Sequence, residues 1–133
     1  MSNRELRGIR EIPEGETEQN PFDSVKFTIG AEDTNGIAVT VQAMEDQDEL
    51  SEKVVLEIWL AATAGGAPSA VTSEVVDTGT ELQEIVNHGH YKIITDANGV
   101  AKITWTIAGA ATRYCNVLYK GRVFSSSLIT WAA

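Results

Sequence analysis

Cysteine occurs once in the chain, at Cys115, so no intrachain disulfide can brace the fold and packing alone must hold it. That scarcity suits assembly in a reducing cytoplasm. Histidine occurs twice, at His88 and His90, and there is no Cys-x-x-Cys pair, which excludes the usual closed zinc sites. No stretch approaches the roughly 18 apolar residues that a membrane-spanning helix needs. The opening residues MSNRELRGIREIPEGE have no apolar core of the kind a signal peptide carries, so neither membrane insertion nor export by the usual route is expected. A sustained 3.6-residue apolar period is also missing, and long helices are therefore not predicted. Basic residues are few, 10 against 19 acidic ones, for a formal charge of -9 and a pI near 4.6. Phosphate binding rests on clustered Lys and Arg, so a nucleic-acid partner is not expected; a basic patch on a partner protein fits better.

What is present suffices for one domain. Hydrophobic residues make up 43% and charged ones 22%, enough apolar material for a real core in a chain of 133 residues. The first 23 residues differ from the rest. Arg4, Arg7 and Arg10 come first, then Glu11, Glu14, Glu16 and Glu18 around Pro13, ending in Asn20-Pro21-Phe22-Asp23. With Leu6, Ile9, Ile12 and Phe22 as its main apolar side chains, this segment cannot bury enough surface to fold alone. It reads as an extended N-terminal arm over residues 1–23, with Arg4, Arg7, Arg10, Ile9, Ile12, Pro21 and Phe22 as its partner-binding residues. Residues 24–133 form the domain.

From Ser24 onward, short runs rich in Val, Ile, Thr, Tyr and Trp alternate with Gly, Asn, Asp and Pro, the pattern of strands and turns. Val25, Phe27 and Ile29 form one face of a first strand, and Ile37, Val39 and Val41 one face of a second. The two are predicted to pair across Asn35-Gly36. Residues 54–62 are the most apolar strand, with Trp59 expected at the centre of the core. Pro68 places residues 64–69 in a loop. Weaker strands are expected at 71–76 and 81–86, then strands at 91–95 and 100–107 joined as a hairpin by Asp96-Ala97-Asn98-Gly99. The last strands, 115–119 and 122–128, meet at a tight Lys120-Gly121 turn. These add up to an all-β sandwich of about 7–9 short antiparallel strands.

Candidate chemistry is sparse. His88 and His90, at i and i+2, lie on one side of an extended segment, but a zinc site needs at least a third ligand, which only Asp or Glu can supply here. A Gly-containing bend with solvent-facing histidines is the expected arrangement. Glu45–Glu52, five acidic residues of eight, lacks the glycine and oxygen spacing of an EF-hand and reads as a solvated loop. Cys115 sits in a strand pattern as a small core residue, and Ser125, Ser126 and Ser127 lack a Gly-x-Ser-x-Gly elbow. Trp131, near the end, is the candidate for a surface sugar-stacking ring. No catalytic residue, metal or cofactor is assigned.

The order of the pieces adds a resemblance. Residues 55–60, Gly66-Ala67-Pro68-Ser69, Thr78-Gly79-Thr80, residues 94–101, Gly121-Arg122-Val123 and Thr130-Trp131 together resemble an immunoglobulin-like module of tailed-phage virion proteins, over about residues 36–132. The resemblance implies an immunoglobulin-like β-sandwich and a non-enzymatic structural role in a bacteriophage particle, with head decoration the commonest use of a separate chain of this size. It assigns no functional residues. The expected protein is a capsid decoration or cement protein on the outside of the head, stabilising it through the arm. Its expected partners are the major capsid protein and neighbouring decoration subunits, with a homo-trimer or homo-dimer as the candidate assembly. A neck, tail or fibre protein, or a surface-displayed carbohydrate-binding or adhesin module, is the alternative.

Overall fold

The computed structural model describes residues 23–132, and these contain eleven strands and no helix. No helix is therefore long and apolar enough to cross a membrane. The strands are β1 (Ser24–Ile29), β2 (Ile37–Glu45), β3 (Asp48–Glu49), β4 (Val55–Ala61), β5 (Ser73–Thr78), β6 (Thr80–Val86), β7 (His90–Ile94), β8 (Val100–Thr106), β9 (Ala111–Tyr119), β10 (Arg122–Ser125) and β11 (Ile129–Trp131). They form two antiparallel sheets, in the orders β1-β2-β8-β5 and β10-β9-β4-β7-β6, with β3 added to β2 and β11 to β9. The first order is the A-B-E-D sheet of an immunoglobulin-like sandwich and β10-β9-β4 is its G-F-C sheet. Against that frame, β6 and β7 are a hairpin inserted between D and E that widens the second sheet beside C.

Alternation explains the core. Val39, Val41, Ile103 and Trp105 of the first sheet meet Leu56, Ile58, Leu60, Tyr91, Ile93 and Val117 of the second, all buried. Each strand contributes every second residue, as its pleat requires. Cys115 lies in this core as expected, and burial pushes its thiol pKa up to about 12.

Several expectations need correcting. The strand count exceeds seven to nine for two reasons. The acidic stretch folds into a hairpin, with Asp46 and Gln47 both at positive φ and Asp48–Glu49 returning along β2. The final strand also breaks at Ser126, whose Oγ accepts from Cys115 N (2.9 Å) in place of a backbone carbonyl, before β11 resumes.

Trp59 is covered but does not occupy the centre of the core. Its neighbours Ile58 and Leu60 point inward, so Trp59 faces out, where residues 62–69 fold back over it. Trp59 Nε1 donates to Gly66 O at 2.8 Å, Ser69 N to Leu60 O at 2.8 Å, and Ala61 bridges Pro68. A strand covered on both faces reads as one continuous apolar run, which hides which face is which.

Trp131, expected at the surface, is 1% exposed. The turn at 96–99 has the chemistry foreseen: Asp96 Oδ1 accepts from Asn98 N (2.9 Å) and Val100 N (3.0 Å), and Gly99 has φ of 74°. It does not make a hairpin, however. Thr95 N bonds Val54 O in one sheet and Ala43 N bonds Gly99 O in the other, so the chain changes sheets within these residues. Both edges of β7 are already taken by β4 and β6, and both edges of β8 by β2 and β5. The pairing of β1 with β2 and the tight turn at Lys120-Gly121 stand as predicted, the latter with φ of 52° and 77°.

Candidate functional site

The sandwich has one edge where strands D and the inserted hairpin come together, β5 on the first sheet and β6 on the second. Every residue of β6 is exposed. Its pairing with β7 slips twice, between Glu81 and Gln83 and between Glu84 and Val86, so Leu82 and Ile85 are the extra residues of two bulges. Both are apolar and about half exposed, and Val86 and Val75 of β5 lie open as well. Bulges on an edge strand also prevent straightforward pairing with another chain, so this edge offers side chains rather than a free backbone ladder.

Acidic groups gather on the same edge. Glu74 projects from β5, Glu81 and Glu84 from β6, and His88 from the turn joining β6 to β7. Oε1 of Glu74 lies 3.3 Å from Nδ1 of His88, and Glu84 Oε2 accepts from the backbone N of His88 at 2.8 Å. The turn is tied to the segment that leads into β5 by Val71 N, which donates to His88 O at 2.9 Å. Burial raises the pKa of Glu81, and the neighbouring carboxylates of Glu84 and Glu74 raise it further. The hydroxyl of Tyr91, a residue with no exposed surface, reaches this group from below. Burial raises its pKa, as do the carboxylates of Glu74, Glu84 and Glu81.

The two histidines do not act together. His88 lies half exposed in the expected bend, with φ of 54°, whereas His90 does not face solvent: it is part-buried on β7 against the outer face of the second sheet. His90 Nε2 sits 3.0 Å from Glu57 Oε1, and its ring is 4.7 Å from that of Trp59. Asn116 completes that patch by accepting from Gly65 N (2.8 Å) and Ser125 Oγ (2.6 Å). These contacts hold the 62–69 loop against the sheet.

Elsewhere the surface offers a polar groove of about 470 Å³ around Val75, lined by Thr34, Asn35, Ser73, Asp77, Thr104 and Thr106. It pairs no nucleophile with a histidine or lysine base. Ser126 is buried, its Oγ engaged with Cys115 N and Ser127 O. Among the described residues, the carboxylates of Glu45–Glu52 do not converge on a point; Glu74, Glu84 and His88 are the group that does.

Arg4, Arg7, Ile9, Arg10, Ile12, Pro21 and Phe22 lie outside the described residues. The chain enters the sandwich at Asp23, which is buried, with Lys120 Nζ on its Oδ2 at 2.9 Å and Arg122 donating to its backbone O at 3.3 Å. Sequence reasoning missed Glu74 and Glu84 because nothing in their spacing links residues ten apart on strands of different sheets. No family model, curated protein or solved structure matches the chain.

Proposed function

We propose that this protein is a non-enzymatic structural protein of a bacteriophage virion, a decoration protein that binds the outside of the capsid and stabilises it through its N-terminal segment. The observation that carries this reading is a body of two sheets closed around one continuous core, with Val75, Leu82, Ile85 and Val86 left open along the β5–β6 edge as a contact surface. A segment that orders on a partner covers much surface for its length. The immunoglobulin-like strand order agrees with the resemblance to virion modules, and the open apolar side chains of the β5–β6 edge supply a second contact surface for capsid or neighbouring subunits. The carbohydrate-binding alternative loses its platform, because the ring of Trp131 is buried.

The test uses heads stripped of decoration. Full-length chain is expected to saturate them at a copy number near that of the major capsid protein, and a chain lacking residues 1–20 to bind far more weakly. Unchanged affinity of the shortened chain would refute the role given to the arm, and a copy number of only a handful per particle would move the protein to the neck or tail.

A further inference from the structure

We propose that Glu74, Glu84 and His88 form a binding site for a divalent transition-metal ion of the zinc type, which clips strand β5 of one sheet to the inserted hairpin of the other. One donor atom from each lies within 4.8 Å of the others. Ligands held about 2.0–2.1 Å from a tetrahedral zinc ion stand about 3.3 Å from one another. Glu74 Oε1 and His88 Nδ1 are already 3.3 Å apart, so a cation needs little more than a turn of the Glu84 carboxylate to gain its third ligand.

Tyr91 is the independent observation. Its side chain is fully buried and its Oη makes no bond of proper hydrogen-bond geometry. A hydroxyl sealed in a core is costly unless it finds a partner. This one lies beneath the cluster: Tyr91 is the register partner of Glu84, and its ring packs 5.8 Å from that of Trp105, the register partner of Glu74. A hydroxyl behind a ligating carboxylate is the usual outer partner of a metal site: it holds one oxygen while the other faces the ion. The chemistry of the set selects the ion. One imidazole nitrogen with two carboxylates suits zinc and its first-row neighbours, whereas calcium prefers an all-oxygen shell of six to eight ligands. Three protein ligands leave a fourth position for water or for a side chain from a docking partner.

Full-length protein stripped with EDTA and titrated with Zn²⁺ in a calorimeter at pH 7 should take up one ion per chain, and Co²⁺ in its place should give visible d–d absorption. Zn²⁺ should raise the melting temperature. H88N, chosen because asparagine tolerates the left-handed backbone of residue 88, and E74Q should each lower the affinity at least ~10-fold and abolish the thermal shift, with the far-ultraviolet spectrum unchanged. Y91F should weaken binding about 10-fold without removing it, and E52Q should have no effect. Absence of binding by the native chain, equal binding by H88N and native protein, or calcium binding as tight as zinc would each overturn the assignment.

Discussion

Trp131 Nε1 donates to Trp105 O at 3.1 Å, so the last strand of the second sheet is bonded through the core to strand E of the first. Both rings are buried, and Trp105 also lies 5.8 Å from Tyr91, centroid to centroid. The third-last residue of the sequence therefore belongs to the centre of the molecule.

Replacing Trp131 with alanine should cost about 3–5 kcal/mol, the usual loss for a large aromatic side chain in a core. Phenylalanine should cost less, because it keeps most of the packing and forfeits mainly the bond to Trp105 O. Urea denaturation followed at two wavelengths measures both, and a loss under ~1 kcal/mol for W131A would contradict the placement of this ring.

The corner at 96–99 should be sensitive at two positions for different reasons. In G99A the added carbon meets the carbonyl oxygen of Leu50 and the residue must hold a positive φ, a backbone cost of roughly 1–2 kcal/mol before any clash is counted. In D96A two backbone donors lose their acceptor, again roughly 1–3 kcal/mol. Because the corner joins sheets, both variants should lower the unfolding midpoint without changing the slope against denaturant.

Alkaline conditions should unfold the protein. The pKa of Cys115 is raised in the folded state from 9.0 to about 12, and those of Tyr91 and Tyr119 are raised from 10.0, all chiefly by burial. An acid that is harder to ionise when folded stabilises the native state below its unfolded pKa, and that contribution drains away as pH rises through the folded value. Stability should therefore hold level up to about pH 9 and fall above it. A thiol reagent at pH 8 should label Cys115 no faster than the protein opens; rapid labelling of native protein would show that the thiol is accessible.

A chain beginning at Pro21 should fold with a stability within ~1 kcal/mol of the full-length protein, since residues 23–132 close a continuous core of their own. In contrast, D23A in the full chain should cost stability, because it removes the buried partner of Lys120. Comparative denaturation of the three proteins separates the arm from its root.

The pattern of apolar residues disclosed the class of fold, the pairing of β1 with β2, the burial of Cys115 and the turn at Lys120-Gly121. It failed wherever a decision depended on a second element. Val55–Ala61 is apolar on both faces, so only the 62–69 loop reveals that Trp59 faces outward. Asp96 and Gly99 specify a bend, but which sheet the following strand joins depends on neighbours that already occupy the edges of β7. Likewise Glu74 and His88 meet because β5 and the inserted hairpin border one edge, a fact of topology with no local signature.

The anchoring of Asp23 beside the β9–β10 turn has a mechanical consequence. Ala132 lies at the other pole, its N bonded to Glu32 Oε1 at 2.8 Å, next to the start of β9. Nine residues of β9 separate the two poles, about 30 Å. Tension applied between residues 23 and 132 thus runs along the strands and loads the β1–β2 and β9–β11 ladders in shear, so that many hydrogen bonds must fail at once and none can be peeled open in turn.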